Sequence, residues 1–383
     1  MHLLYFLNFY PTKHKIVSHD EMLEMSRRGH NITVIAVWGG KKSKINDLPF
    51  NVIYLTNKIR IFSITYLLFK QPVKIINHFP ILKKYLGFQD ALKYLSSYHV
   101  ILKNKTDRIH AHFANNAALK GYLFSKFTNM PFSCTGHGSE LLLYPEPYLK
   151  ELITNAKPFI TISNYNKKRL IEKYNLSSDQ IVVNYCGIDT DYFKKPEKRE
   201  KPDYFSILSV TALKKVKGVT YLIEACRLLK EQYISFTCQI IGGGSEYDSL
   251  FNLIQESGIE DCTTLLGIKT QSEIREYLSI SDVFVLPSIS EGIPVAVMEA
   301  MAMEVPVIAS NITGLPEIIE DGISGYLVPP KDPQALAGKI IELYKNPGLC
   351  EKFGQTARKT VKEKFNLTKN TDNFIKLITS GNY

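Results

Sequence analysis

Two successive runs of short apolar segments alternate with helical stretches along this chain, and that alternation constrains its fold more than any other feature. The first run opens with HLLYFLNF, a polar loop and then DEMLEMSRRGHNITVIAVW, which reads as helix, stop at Gly29 and second strand. DRIHAHF, PFSCTGH, PFITIS and QIVVNYCG follow as further strands, with the helix SNYNKKRLIEKYN among them. The second run places YFSILSV, FTCQIIGGG, CTTLLG, DVFVLPS, PVIAS and SGYLVPP between helical stretches such as GVTYLIEACRLLKEQ and PVAVMEAMAME. These strands are short, apolar and not strictly alternating, as parallel strands buried on both faces are. The expected fold is therefore α/β, with two Rossmann-like, doubly wound parallel-sheet domains.

A length of 383 residues exceeds what one hydrophobic core usually organises, and 45% apolar content supports two. The stretch DTDYFKKPEKREKPDYF, dense in charge and proline, reads as the connector. The expected boundaries are 1–190, a linker at 191–204, 205–365, and an amphipathic C-terminal helix over 366–383. Six cysteines lie scattered without CxxC spacing, which argues against a disulfide framework and against a zinc site. No basic region precedes the short apolar N-terminus and no apolar run approaches a membrane span, so neither a signal peptide nor a transmembrane helix is expected.

The net charge of +10 divides unevenly. Residues 1 to 195 carry 27 Lys and Arg against 13 Asp and Glu, whereas the remainder carries 20 against 24. Such asymmetry suits an anionic partner. The stretch from Lys58 to Phe88 interleaves Phe62, Tyr66, Leu67, Phe69, Phe79, Leu82, Tyr85 and Phe88 with Lys58, Arg60, Lys70, Lys74, Lys83 and Lys84. Asp47 is the only acid between Glu24 and Asp90. Pro72 and Pro80 are expected to divide it into pieces too short to bury a full face, leaving apolar surface beside lysines. An anionic membrane surface is thus the expected partner of the first domain. Nucleic acid is not, because no recognition helix or RNA-binding sheet motif is present.

The most informative stretch for chemistry is SISEGIPVAVMEAMAMEVPVIAS, in which Pro294 fits a first helical turn. Glu291 then falls in the loop before a helix and Glu299 within it. A loop carboxylate can accept hydrogen bonds from sugar hydroxyls, a helical one can hold a ribose diol, and the helix N-terminus between them favours a diphosphate.

This stretch resembles the EG…E signature of retaining glycosyltransferases of family 4, which have the GT-B fold, two Rossmann-like domains facing a central cleft. TGLPEIIEDGISGYLVPPKDPQAL continues the match, while RIHAHFANNAALKGYLFSK, PFSCTGHGSELL and TISNYNKKRL resemble the subgroup that builds colanic acid and related exopolysaccharides. The resemblance implies that Glu291 contacts donor-sugar hydroxyls, that the backbone of Gly292 and Ile293, leading into Pro294 and Val295, approaches sugar and diphosphate, and that Glu299 binds the ribose. It also implies that Lys217, with Lys215 beside it, neutralises the leaving diphosphate, and that Gly267, Ile268 and Lys269 receive the base. His137 falls where the family keeps a histidine facing the donor sugar across the cleft, and the C-terminal helix would cross back onto the first domain. Acceptor-side candidates are His14, Lys15, His112 and Glu140. Of the strand pair His110 and His112, one is expected to face the core and only His112 the acceptor.

Two departures stand out. Thr211 and Ala212 occupy the place of the family's Gly-Arg, so Lys214 or Lys215 would have to supply the missing charge. His14 and Lys15 replace the subgroup's Ser-Glu pair. The expected activity is transfer of a hexosyl unit from a nucleoside diphosphate sugar, a UDP-sugar ahead of a GDP-sugar, to a glycan or lipid-linked glycan acceptor with retention. Neither cofactor nor metal is expected, since fixed lysines and a helix N-terminus can carry the charge and no DxD-like cluster lies in a suitable loop. The expected place is the cytoplasm, peripheral to the inner face of the cell membrane. Ala212 keeps one alternative open, a catalytically weakened paralogue that binds sugar nucleotide or glycan in support of a partner enzyme.

Overall fold

The computed structural model of the chain describes residues 1–11, 17–39, 48–197 and 204–380. The chain divides into two compact units, the first made of Met1–Ile162, Asn166–Asn184 and Thr371–Tyr383, the second of Ser163–Tyr165 and Tyr185–Asn370.

The first unit holds seven parallel strands: β1 (His2–Tyr10), β2 (Asn31–Gly39), β3 (Asn51–Tyr54), β4 (Arg108–His112), β5 (Phe132–Gly136), β6 (Phe159–Thr161) and β7 (Ile181–Val183). Their order is β3-β2-β1-β4-β5-β6-β7. The pleat explains why both faces of β1 are apolar. Leu4 and Phe6 enter a core shared with Ile109, Ala111 and Phe132, while Leu3, Tyr5 and Leu7 enter another with Val34, Ala36 and Phe374. Phe374 and Ile378 belong to the C-terminal helix Leu367–Thr379, whose last two-thirds thus complete the first unit's core.

The second unit holds β8 (Phe205–Val210), β9 (Phe236–Ile241), β10 (Thr263–Gly267), β11 (Val283–Leu286), β12 (Val307–Ser310) and β13 (Gly325–Val328), in the order β10-β9-β8-β11-β12-β13. Its two faces are again both apolar: Ile207, Ile240 and Val285 point to one core, Leu208, Ile241 and Phe284 to the other. In each sheet the strand order reverses once, between β1 and β4 and between β8 and β11. At such a reversal the loops leaving the carboxyl ends diverge and open a crevice. Residues 191–197 of the expected linker contain neither helix nor strand, and 198–203 lie outside the described residues.

The basic stretch differs from expectation in one respect. Ile61–Lys70 and Pro72–Leu86 are both helices, and Pro80 lies inside the second without breaking it. Pro80 and Ile76, four residues before it, are both exposed, so the carbonyl that loses its amide partner sits on the outer side. Each helix buries a narrow stripe, with Ser63 and Leu67 on one and Ile75, His78 and Leu82 on the other.

Phe374 has no solvent exposure and its ring packs edge-on to His110 at 4.8 Å. Phe374→Ala is expected to destabilise the first unit by about 3–5 kcal/mol. Urea unfolding followed through Trp38, the chain's one tryptophan, reads this unit, and an unshifted midpoint would show that the helix is dispensable to the core.

Candidate functional site

The carboxyl edge of the second sheet gathers the residues that the sequence singled out. After β8 the chain runs through Thr211, Ala212 and Leu213 into the single 3-10 turn Lys215–Lys217, closed by Gly218 in the left-handed region at φ 62°. A side chain at Gly218 would place its Cβ 2.2 Å from the Pro287 carbonyl oxygen, so only glycine lets this turn approach the loop after β11. The amide of Ile289 donates to Val216 O at 2.8 Å, which joins the two loops.

That junction fixes the central pair. Lys217 Nζ lies 2.6 Å from Glu291 Oε1, with the two side chains 24% and 8% exposed. Ser288 Oγ donates to the same carboxylate oxygen at 2.9 Å, and Thr313 Oγ1 donates to the Glu291 carbonyl at 2.5 Å. Glu291 is thus held at both ends. The helix Val295–Ala302 follows, with Pro294 as its N-cap in extended conformation rather than within the first turn. Gly292 and Ile293 bridge Glu291 to this helix, Ile293 being buried. Glu299 lies in the helix, 7% exposed, and accepts from Gln271 Nε2 at 3.3 Å.

Gly267 ends β10 at φ 68°, Ile268 is 63% exposed, and Lys269 pairs with Glu273 at 3.3 Å. A Cβ at Gly243 would fall 2.9 Å from Ile268 Cδ1, and one at Gly242 would fall 1.8 Å from Thr211 O. The Gly242–Gly244 loop therefore packs against the turn carrying Ala212, with Leu213 N donating to Gly243 O at 3.0 Å. Ala212, Lys214 and Lys215 are exposed there. Ser288, Thr313, Gln271 and the three-glycine loop were not identified as site residues from sequence; only the glycine run carried a signal that could have found the last.

In the first unit, His137 follows β5. Its ring packs against Phe113, stacked at 4.3 Å, and against His112 at 4.9 Å. Burial lowers its pKa, with Glu140 opposing the shift, so the neutral imidazole is favoured. Glu140 has a local structural role. Its carboxylate accepts from His137 N at 2.6 Å and Gly138 N at 3.2 Å and so shapes the loop that presents His137.

The histidine pair corrects the sequence reading. Residues two apart on a strand share a face, and His110 and His112 are both buried, with ring centroids 5.3 Å apart. His110 has hydroxyls at both ring nitrogens, Ser133 Oγ at 2.9 Å and Thr135 Oγ1 at 3.3 Å. His112 Nδ1 lies 3.7 Å from Glu21 Oε1, and among the described residues Glu21, His110 and His112 form the group whose metal-ligand-type atoms converge, within 4.8 Å of one another. Burial pushes His110 down to about 3 and His112 well below its usual value. His14 and Lys15 lie outside the described residues.

Burial raises the Glu21 carboxyl to about 7, against the opposing hydrogen bond donated by Tyr5 Oη at 2.9 Å. The unfolded chain releases this proton near the ordinary glutamate value of ~4.3, so the folded protein binds more protons between those limits and loses stability as pH rises through them. Glu21→Gln is expected to raise the melting temperature more at pH 8 than at pH 4. Equal gains at both would remove Glu21 as the responsible group.

Comparison with known proteins bears on the family and the fold. The family model described as glycosyltransferase family 4 matches residues 17–192, and that described as glycosyl transferases group 1 matches residues 189–360. The amylovoran biosynthesis glycosyltransferase AmsK of Erwinia amylovora is 40% identical over 49% of this chain and 48% of its own length. The putative colanic acid biosynthesis glycosyltransferase WcaL of Salmonella typhimurium is 35% identical over 59% of this chain and 57% of its own. The match thus spans about half the length of these curated relatives. The uncharacterized glycosyltransferase MJ1178 of Methanocaldococcus jannaschii is 32% identical over 76% of this chain and 80% of its own. Among solved structures, Anabaena HepE in complex with UDP shares the fold, with a TM-score of 0.76 over 99% of this chain and 100% of its own at 18% identity. Two Rossmann-like units, an EG…E loop and helix in the second of them, and these matches place the chain in glycosyltransferase family 4.

Proposed function

We propose that the protein transfers a hexosyl unit from a nucleoside diphosphate sugar, preferably a UDP-sugar, to a glycan or lipid-linked glycan acceptor, with retention of configuration, in bacterial exopolysaccharide or surface polysaccharide synthesis. The observation that carries this reading is the Lys217–Glu291 pair at the strand reversal of the second sheet, just before the N-terminus of Val295–Ala302. A diphosphate there meets a lysine and a helix N-terminus, both suited to negative charge. It competes with Glu291 for Lys217, and that exchange frees the carboxylate for sugar hydroxyls. Glu299 holds the ribose, and Gly267, Ile268 and Lys269 receive the base through their backbone. In a loose, oxocarbenium-like transition state the chief task is to stabilise the departing diphosphate. His137, held neutral, offers a hydrogen bond and no charge. Relatives named for amylovoran and colanic acid synthesis support the polysaccharide product, and HepE with UDP supports the base.

The membrane partner is part of this reading. Among the described residues, ten of the twenty exposed large hydrophobics fall between Ile59 and Phe88, with Phe62 at 77%, Phe69 at 80%, Val73 at 68% and Ile76 at 65% exposure. Lys70, Lys74, Lys83 and Lys84 lie among them and are exposed. Apolar side chains flanked by lysines suit the interface of an anionic leaflet, where a lipid-linked acceptor would be presented. No helix among the described residues is long and apolar enough to cross a membrane.

Glu291→Ala is expected to abolish transfer in a folded protein, and Lys217→Ala to lower turnover by ~10²–10³, the loss typical of one electrostatic donor. Lys214→Ala or Lys215→Ala should give a partial loss, and Ala212→Arg a gain. Transfer from UDP-sugars reads all five, with UDP binding by calorimetry as the companion measurement. Normal turnover in folded Glu291→Ala would overturn the assignment, and no change in Ala212→Arg would show that position to be neutral.

For the membrane, the protein should co-sediment with vesicles containing anionic lipid and not with neutral ones, and joint substitution of Lys70, Lys74, Lys83 and Lys84 by glutamine should release it. Equal binding to both vesicle types, or none to either at low salt, would remove the membrane from the reading.

A further inference from the structure

The carboxyl edge of the first sheet opens into a second concavity, of about 430 Å³, lined by none of the candidate residues above. Its walls come from the end of β2, the segment after β3, the helices Pro72–Leu86, Phe88–Ile101 and Asn116–Thr128, and the loop that carries Glu146 and Tyr148. Such a volume lies within the usual range for small-molecule sites, and the position is where open α/β sheets take ligands.

We infer that this cavity binds an uncharged sugar unit of the glycan acceptor, with the Trp38 indole as its apolar platform. Trp38 is the chain's one tryptophan, and it stands 51% exposed directly after the buried run Ile32–Ala36. An indole left uncovered forgoes the gain of burying its large apolar face, so its position on a cavity wall is informative. A pyranose offers a face of C–H groups and a rim of hydroxyls that both donate and accept, and it needs an apolar ring with mixed polar partners around it. The cavity supplies them. Asp90 and Glu146 accept, Lys93 and Lys120 donate, and Asn116 does both.

Charge decides between a sugar and a phosphate. Two carboxylates and two amines line the cavity, so its formal charges cancel. Lys93 Nζ is already 2.8 Å from Asp90 Oδ1 and Lys120 Nζ 2.7 Å from Asn116 Oδ1. Burial lowers Lys120 to about 8, which makes it a weaker anchor for an anion and a ready partner for a hydroxyl. A diphosphate would meet the Asp90 and Glu146 carboxylates as well as the two amines, so the cavity as a whole offers it no net charge complement. Only the word acceptor rests on the transfer reading; the binding of a neutral sugar does not.

The test uses the full chain and Trp38 emission, which needs no label. Methyl glycosides of the common neutral hexoses, 6-deoxyhexoses and N-acetylhexosamines are titrated to ~100 mM, well above the ~1 mM Kd that a weak site gives. At least one is expected to saturate with a blue shift as the indole is covered, and Asn116→Ala to weaken that binding about tenfold. Ligand-observed NMR on Trp38→Ala, checked for folding by circular dichroism, should show the signal lost. The inference is overturned if no glycoside saturates, if Asn116→Ala and Trp38→Ala bind as the parent does, if octyl glycosides bind and methyl glycosides do not, or if UDP or inorganic diphosphate covers Trp38 instead. Calorimetry with UDP and GDP separates the two readings, because a failure to bind either beside a saturating glycoside sinks transfer and leaves the cavity standing.

Discussion

A parallel sheet buried on both faces can do chemistry only at its ends, and that constraint organises this protein twice. Side chains from β1 go into two apolar cores, as do those from β8, so no interior position is left for a hydrated substrate. Polar function is driven to the loops at the carboxyl edges. In the second unit those loops come very close together. The missing side chains at Gly218 and Gly242 let the turn after β8 touch both the loop after β11 and the loop after β9, and the ion pair between Lys217 and Glu291 follows from that contact.

The first unit uses its edge differently. Around His112 and His137 it is closed and aromatic, with Phe113 in the left-handed region at φ 69° carrying the ring that stacks on His137. A non-glycine residue is rarely held in that conformation unless its surroundings enforce it. Toward β2 and β3 the same edge is open and polar, with Asp90, Lys93 and Asn116 facing a concavity. One carboxyl edge thus presents packed aromatic rings where β4 and β5 end and a polar concavity where β2 and β3 end.

The parallel strands were legible in the sequence because apolar runs of this length admit few other folds, and the Glu291 loop because a proline and an apolar helix follow it. What was not legible depends on contacts between distant segments. Nothing near Glu291 in sequence announces Thr313, 22 residues on, as the donor to its carbonyl. The local bonding of Glu140 was hidden for the opposite reason: its partners are the amides of His137 and Gly138, so close in sequence that no side-chain pattern marks them. His110 and His112 were separated by treating adjacent polar positions as alternating, when the period of a strand puts them on one side. Pro80 misled because a proline's effect on a helix depends on which side of the helix it occupies, and periodicity alone did not settle that.

The helix Leu367–Thr379 belongs to both units, its first turn to the second and the remainder, from Thr371 on, to the first. The strand that Phe374 packs beneath is made at the opposite end of the chain. On the ribosome the order of synthesis and the order of completion are therefore reversed: the domain that emerges first is the last to close. Between the appearance of β7 and the arrival of Phe374 and Ile378, the apolar face of Leu3, Tyr5 and Leu7 lacks the part of its cover that these two residues supply. Its exposure lasts for as long as the whole second unit takes to be made.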